Sequence, residues 1–220
     1  GWGTWGWFRD CAATSSSSDK IDINGNDGPG PKDYADPDTG GFFWKRSLDD
    51  GAVVDTGPGS AGPNGVILSG RDNLFGGAGF RQSLSGRFTV SQATTVANVA
   101  GWMYVSRAPD RDMLGTTRVG IHADAAGTVG ASVFSGTFEL QCAPAGCAQA
   151  EWEGASGLRW HLNPGTYWVV FSVPDGSVAG AVMPGSAPFP LPAYRFSGGA
   201  MEAWQALANI DQYHLGIRLL

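Results

Sequence analysis

Short apolar segments separated by turn residues dominate the chain from about residue 81 onward. Val, Ile, Thr, Tyr and Phe are concentrated in these segments, and turn signals such as Asn-Pro-Gly and Pro-Asp-Gly lie between them. No long amphipathic helix is apparent, and only "MEAWQALANI" has a composition that favours a helix. The pattern predicts an all-β antiparallel sandwich or jelly roll. The predicted strands are 87–90, 94–106, 117–124, 131–140, 166–173, 178–183, 193–197 and 213–220.

Residues 1–80 have a different composition and predict a loop-rich N-terminal arm or subdomain, followed by a sandwich domain over 81–220. Only the segment 65–70 within the arm could be a strand. Flexible linkers rarely carry tryptophan, yet Trp2, Trp5 and Trp7 open the sequence. We therefore expect the arm to dock on its own sheet or on a neighbouring copy.

Charge and composition favour a secreted β protein over a cytosolic enzyme. Charged residues make up 15% of the chain, against about 25% in typical soluble domains. A net charge of −6 without a basic stripe argues against nucleic acid as a partner. No apolar run is long enough for a membrane span. The first residue is Gly1, which is expected of a mature form whose leader has been removed.

The cysteines also fit an oxidising compartment. Cys142 and Cys147 bracket a short Pro- and Gly-containing loop that a disulfide could staple. Cys11 is left over, so it is expected to be a free thiol or to form an intermolecular bridge. It could also displace one member of the proposed pair.

An oxygen-rich segment at 22–28 is the one candidate metal site. Asp22, Asn24, Asn26 and Asp27 offer the carboxylate and amide oxygens that calcium prefers. The segment does not match a helix-loop-helix calcium site, because its glycine is one place late and no Glu closes the loop. An Asx-rich turn without metal remains the alternative.

Aromatic residues raise the question of what covers them. Tyr167 and Trp168 are neighbours in one predicted strand and must point to opposite faces. Trp168 is interpreted as buried under the N-terminal arm, with a sugar platform or a contact with another chain as alternatives. The candidate glycan-stacking residues are Trp102, Trp160 and Trp168, and core packing is the alternative for each.

The sequence shows no catalytic constellation, and we expect a non-enzymatic protein. It has no Gly-x-Ser-x-Gly elbow, and its three histidines are far apart. Glu151 and Glu153 are the only closely spaced Glu pair. In a strand they would share one face, as a glycosidase pair separated by about 5–10 Å would require. Solvent-facing glutamates in a turn are the alternative.

Three motifs of the sandwich region resemble a family of secreted bacterial β-sandwich proteins of the PEP-CTERM-associated type. They are "I-x-x-D-x-x-G" at 121–127, "L-x-x-G-x-Y-W" at 162–168 and "L-x-x-R-L" at 215–219. The resemblance covers roughly residues 85–220, and the family's C-terminal sorting tail is not in this sequence. It implies an extracellular surface or matrix component that accompanies exopolysaccharide production and has no catalytic motif.

These observations together predict an exported, non-catalytic structural protein of the cell surface or extracellular matrix. Its arm would exchange between copies to give a homo-oligomer or filament, because sheet edges accept extended segments. A carbohydrate-binding module is the alternative, with polysaccharide as the partner. A polysaccharide-active enzyme using Glu151 and Glu153 comes third.

Overall fold

The computed structural model describes the sandwich region almost continuously and the N-terminal region in part. The described residues are 32–35 and 42–45 (backbone only), 52–60, 65–70, 81–108, 111–143, 146–174, 179–198, 202–207 and 213–220. The chain divides into two compact units, Gly1–Ala52 and Val53–Leu220. In the first unit, β1 (Lys32–Ala35) pairs with β2 (Phe42–Lys45) in an antiparallel hairpin.

Two antiparallel sheets, called here the first and second sheets, form the second unit. The first sheet has six strands in the spatial order β11 (Thr128–Leu140), β10 (Gly115–Ala125), β14 (Gly165–Ser172), β5 (Ser83–Val90), β16 (Tyr194–Ser197) and β17 (Gln205–Ala206). The second sheet has the order β3 (Val54–Asp55), β18 (Ile217–Leu219), β7 (Val99–Val105), β15 (Gly180–Pro184) and β4 (Gly65–Ser69). A further strand, β12 (Glu151–Ala155), pairs with β7.

Two short strand pairs and two isolated bridges, Ser69–Gln82 and Ala143–Gly146, complete the described architecture. β6 (Thr94–Val96) pairs with β13 (Trp160–Leu162), and β8 (Arg107–Ala108) pairs with β9 (Arg111–Asp112). The backbones of Ser69 and Gln82 exchange hydrogen bonds of 3.1 and 2.8 Å, which link the end of β4 to the start of β5. The two sheets are thus joined at one corner.

The core forms where alternate residues of the two sheets meet. Along β7 every second residue is buried, the pattern of a strand with one face packed on a core. Gly101 shows how closely the sheets approach, because a Cβ there would lie 2.8 Å from Met183 and 3.2 Å from Phe171. Phe171 is fully buried in the same cluster, and burying a side chain of this kind contributes about 1.5–3 kcal/mol.

The predicted all-β antiparallel sandwich is confirmed, and the jelly-roll connectivity stays a prediction. The predicted strand at 65–70 is confirmed as β4, but it belongs to the second unit because it pairs with β15. β3 likewise pairs with β18 near the end of the chain. The boundary between units therefore falls after Ala52 rather than after residue 80. Within 202–207 the structure has strand β17, although the composition of this segment favours a helix.

Candidate functional site

The first sheet has one face on the core and a second face, called here the outer face, that points away from it. Val119 and Ile121 of β10 and Phe171 of β14 are fully buried in the core. Because side chains alternate along a strand, their neighbours project from the opposite side. The outer-face residues that matter below are Ser83 and Arg87 of β5, Arg118, Gly120, His122 and Asp124 of β10, Trp168, Val170 and Ser172 of β14, and Arg195 and Ser197 of β16.

One end of the outer face carries a closed set of polar contacts, called here the Asp124 network. The Asp124 carboxylate accepts hydrogen bonds from Arg87 at 2.9 and 3.2 Å. It also accepts from the indole Nε1 of Trp168 at 2.7 Å and from the backbone N of Gly127 at 3.0 Å. Arg195 donates to the Gly127 carbonyl at 2.9 Å. Residues of two motifs from the sequence, Asp124 with Gly127 and Trp168, thus meet in space.

The turn between β10 and β11 explains why Asp124 can reach a backbone amide. Ala125 pairs with Thr128, which leaves a two-residue turn of Ala126 and Gly127 with φ values of 52° and 82°. Positive φ at both positions suits the twist of a hairpin, and glycine adopts it at no steric cost. The turn brings the Gly127 N–H back over the Asp124 carboxylate.

The Asp124 network lowers the pKa of its carboxyl group. The hydrogen bonds from Arg87 contribute most, and those from Gly127 and Trp168 act in the same direction. They outweigh the opposing effect of desolvation and bring the pKa of Asp124 to about 2. Charge-assisted, two-pronged Arg–carboxylate pairs are among the stronger polar contacts in proteins. Asp124 is therefore a fixed anion whose acceptor sites are occupied by donors of its own chain.

Trp168 is fully buried, although it points away from the main core. It forms a second small apolar cluster with Val129 and Val170, against which Trp204 packs. The Arg195 guanidinium lies 5.8 Å from the centre of the Trp168 ring. Burial of Trp168 is as predicted, but these contacts come from the sandwich itself, and cover by the arm stays a prediction.

The other end of the outer face contains a cavity of about 520 Å³, a volume within the usual range of ligand sites. Its floor includes Gly120 and Val170, and Trp204 lies in its wall. Two guanidinium groups, of Arg81 and Arg118, and the His122 imidazole also line it. Serine hydroxyls supply much of the remaining lining, from Ser69, Ser83, Ser132, Ser135, Ser172 and Ser197.

Several polar groups in this cavity have no hydrogen-bond or ion-pair partner among the described residues. The hydroxyls of Ser83, Ser135 and Ser172 and the guanidinium of Arg118 make no hydrogen bond or ion pair to the described part of the chain. None of the described lining residues is an Asp or Glu. Polar groups that the fold leaves unpaired are available to water or to a polar ligand.

His122 links the two ends of the outer face. Its Nδ1 lies 2.9 Å from the carbonyl oxygen of Gly130. Because a carbonyl only accepts, Nδ1 carries the proton, and Nε2 of the neutral ring is left as an acceptor. A Cβ on Gly120 would lie 3.6 Å from Nε2 and 2.7 Å from the Phe134 carbonyl oxygen. Glycine at 120 therefore keeps the floor open beside the His122 ring.

The remaining candidate stacking residues offer little open aromatic surface. Trp160, like Trp168, is buried, and its ring stacks on Phe134 at 5.6 Å. Burial therefore makes both rings unavailable as sugar platforms. Trp102 is half-buried on the outer side of the second sheet, with its ring 5.4 Å from that of Trp152. Arg218 in turn covers Trp152, at 4.1 Å from the ring centre.

Glu151 and Glu153 share one face of β12, so they lie in a strand rather than in a turn. Their partners on β7 are Met103 and Gly101, both of which face the core. Their use as a glycosidase pair, which needs a separation of about 5–10 Å, stays a prediction. Burial, followed by the negative charge of Glu151, raises the pKa of Glu153 to about 7. The Glu153 carboxyl group therefore holds its proton more tightly than an exposed glutamate does.

The disulfide between Cys142 and Cys147 is confirmed. Cys147 is buried in the main core cluster, so the bridge anchors its loop to the sandwich. Other predicted site residues lie outside the described residues: Cys11, Trp2, Trp5, Trp7, and the candidate calcium ligands Asp22, Asn24, Asn26 and Asp27. Across the described ranges, no three His, Cys, Asp or Glu residues come together as a metal site.

The cavity was missed at the sequence level, because its residues come from strands that are far apart along the chain. The one local signal was the outward series Arg118, Gly120 and His122 on β10, in which glycine opens space between two basic groups. Comparison with known proteins adds no further guide: no protein-family model matches the chain, and no curated protein matches it significantly. Among the described residues, no helix has the length and apolar character needed to cross a bilayer.

Proposed function

We propose that this chain is an exported, non-catalytic protein of the cell surface or extracellular matrix that binds polysaccharide in the cavity on the outer face of the first sheet. The observation that carries the proposal is the set of unpaired polar groups lining that cavity. Sugar hydroxyls donate and accept hydrogen bonds, and serine hydroxyls can act as the matching acceptor or donor. The half-buried Trp204 supplies an aromatic wall against which the apolar side of a sugar ring can lie.

The chemistry of the lining favours binding over catalysis. The described lining residues include no carboxylate that could act as a general acid or base. No lining serine in the described ranges is hydrogen-bonded to His122, whose Nδ1 contacts the Gly130 carbonyl instead. A nucleophile–base pair is expected to lie within hydrogen-bond reach. Export is supported by the Cys142–Cys147 disulfide, since such bridges persist mainly in oxidising compartments.

The test is affinity electrophoresis of the full chain through gels containing a broad panel of neutral and acidic polysaccharides. Trp204→Ala removes the aromatic wall, and Ser135→Tyr fills the cavity from an exposed position without touching the Trp168 cluster. Trp102→Ala, on the outer side of the second sheet, is the matched control. We expect at least one polysaccharide to retard the wild type and the control alike, with retardation lost in both cavity variants.

Two results would overturn the proposal. One is retardation that disappears in Trp102→Ala and persists in both cavity variants, which would move the site to the second sheet. The other is release of reducing sugar ends from a bound polysaccharide by the wild type, which would show catalysis. Self-assembly through residues 1–80 remains a prediction from sequence, tested by light scattering on the full chain and on a chain lacking residues 1–44.

A further inference from the structure

We infer that the cavity selects an acidic polysaccharide, with a sugar carboxylate bound by Arg118 and neighbouring sugar hydroxyls bound by Ser83, Ser135, Ser172 and His122. This rests on the proposed function, because it names the ligand class of the same cavity. The juxtaposition that carries it is an unpaired guanidinium beside unpaired hydroxyls, in a cavity whose described lining is free of carboxylates.

The distribution of charge is the first argument. The chain has 20 acidic and 14 basic residues, so a site without acidic groups is not what its composition favours. On the same sheet face, Arg87 is engaged by Asp124, and Arg195 by the Gly127 carbonyl and the Trp168 ring. Arg118 is exposed and has no ion-pair partner in the described ranges. Its charge is therefore open to an anion from outside.

The shape of the guanidinium is the second argument. Arginine presents parallel N–H groups that match the two oxygens of a planar carboxylate, and such pairs are charge-assisted and directional. Arg118, Gly120 and His122 occupy successive outward positions along β10, about 7 Å apart at the usual rise of a strand. The basic group and the imidazole therefore stand at two ends of an open floor, about 14 Å apart at the backbone.

The tautomer of His122 gives His122 and Arg118 different roles in binding. Since Nδ1 donates to the Gly130 carbonyl, the neutral ring offers only the Nε2 lone pair to the cavity. A lone pair accepts a hydrogen bond from a sugar hydroxyl but does not attract a carboxylate. Arg81 has a contact of its own within the protein, so Arg118 is the group that recognises the acid, and the neutral His122 ring recognises a hydroxyl.

The experiment compares acidic polysaccharides with their own neutral derivatives on the full chain. Polygalacturonate, alginate and hyaluronate are each used as the free acid and as the methyl ester, so that only the charge differs within a pair. The charge-removing variant is Arg118→Gln, and Arg118→Lys keeps the charge without the planar fork. Arg159→Gln changes the net charge equally at an exposed position outside the lining and is the matched control.

We expect at least one free acid to bind at least tenfold more tightly than its ester. Arg118→Gln should weaken binding of that acid by about ten- to a hundredfold, the usual value of a charge-assisted hydrogen-bonded contact. Binding of the ester should be unchanged, Arg118→Lys should recover part of the loss, and Arg159→Gln should bind like the wild type. Added salt should weaken binding of the acid more than binding of the ester.

The failure of this inference is distinguishable from failure of the proposed function. If acid and ester bind equally and Arg118→Gln changes neither, acidic selectivity is wrong while glycan binding stands. Tighter binding of a sulfated polymer than of the carboxylated polymer with the same backbone would overturn the carboxylate assignment. If no polymer of the panel, acidic or neutral, binds at all, both proposals fail.

Discussion

The two ends of the outer face of the first sheet contain similar residue types but differ in whether their polar groups are paired within the described part of the chain. At one end, Asp124 holds Arg87, Trp168 and the Gly127 amide in contacts of 2.7 to 3.2 Å, and every partner is part of the chain. At the other end, the Arg118 guanidinium and the hydroxyls of Ser83, Ser135 and Ser172 have no such partner in the described ranges. The difference is the single carboxylate. Where it is present it pairs with the polar groups around it, and where it is absent the polar groups are open to water or to the ligand that we propose.

Removing that carboxylate should give the largest effect. Asp124→Ala leaves the buried Trp168 N–H and the Arg87 guanidinium without their acceptor. Leaving the buried Trp168 N–H without an acceptor costs about 1–3 kcal/mol of unfolding free energy, measurable by urea denaturation at pH 7. Glu139→Ala is the control, since Glu139 accepts from Thr116 at an exposed site and should cost under about 1 kcal/mol. Equal losses in the two variants would refute a structural role for the Asp124 network.

The Asp124 carboxylate should also control how the free energy of unfolding changes with pH under acidic conditions. The folded-state pKa of Asp124 is lowered from 3.8 to about 2. Its contribution is therefore fully present above the unfolded pKa and is lost as pH falls from about 4 to 2. Asp124→Asn should flatten the decline of unfolding free energy over that window, in urea titrations from pH 2 to 6. A profile as steep as that of the wild type would contradict this assignment.

A smaller effect, of opposite sign, is expected inside the sandwich. Thr117 is fully buried on the core side of β10, and its hydroxyl is the one buried side-chain group without a hydrogen-bond partner in the described part of the chain. Thr117→Val keeps the shape and removes the unpaired hydroxyl, so we expect a gain of about 1 kcal/mol in unfolding free energy. Thr56→Val is the matched control, because the Thr56 hydroxyl accepts from the Ile217 N–H at 2.7 Å. Stabilisation should be absent there, and destabilisation by Thr117→Val would count against the prediction.

The smallest effect concerns the carboxyl pair at the sandwich edge. The folded-state pKa of Glu153 is raised from 4.5 to about 7, so the folded protein holds this proton more tightly than the unfolded chain. That contribution is present below about pH 4.5 and is lost as pH rises to about 7. Glu153→Gln should reduce the fall in unfolding free energy between pH 4.5 and 8 by less than about 1 kcal/mol, since partial exposure screens the Glu153 carboxylate. Glu139→Gln, at an exposed site, should leave the profile unchanged. An unaltered profile in Glu153→Gln would show that the pKa of Glu153 is not raised in the folded protein.

The sequence predicted those features that local patterns control. Alternation along the strands and turn residues between them indicated an antiparallel all-β unit, and the spacing of Cys142 and Cys147 indicated their disulfide. The Asp124 network and the cavity depend instead on register between distant strands. Ser83 lies beside Ser197 only because β5 pairs with β16, and Asp124 reaches Trp168 only because β10 pairs with β14. β3 escaped notice because two residues are too few to show a period.

The central claim is that the cavity end binds glycan while the Asp124 end does not. Amide chemical-shift mapping tests it most directly, on the ¹⁵N-labelled 22.9 kDa chain titrated with fragments of the polysaccharide that retards it most. We predict saturable shifts at Arg118–His122, at Ser132–Ser135 and at Ser172, with the Gly127 amide and the Trp168 indole unmoved. Shifts centred on Trp102 and Trp152, or on the Asp124 network, would contradict the account.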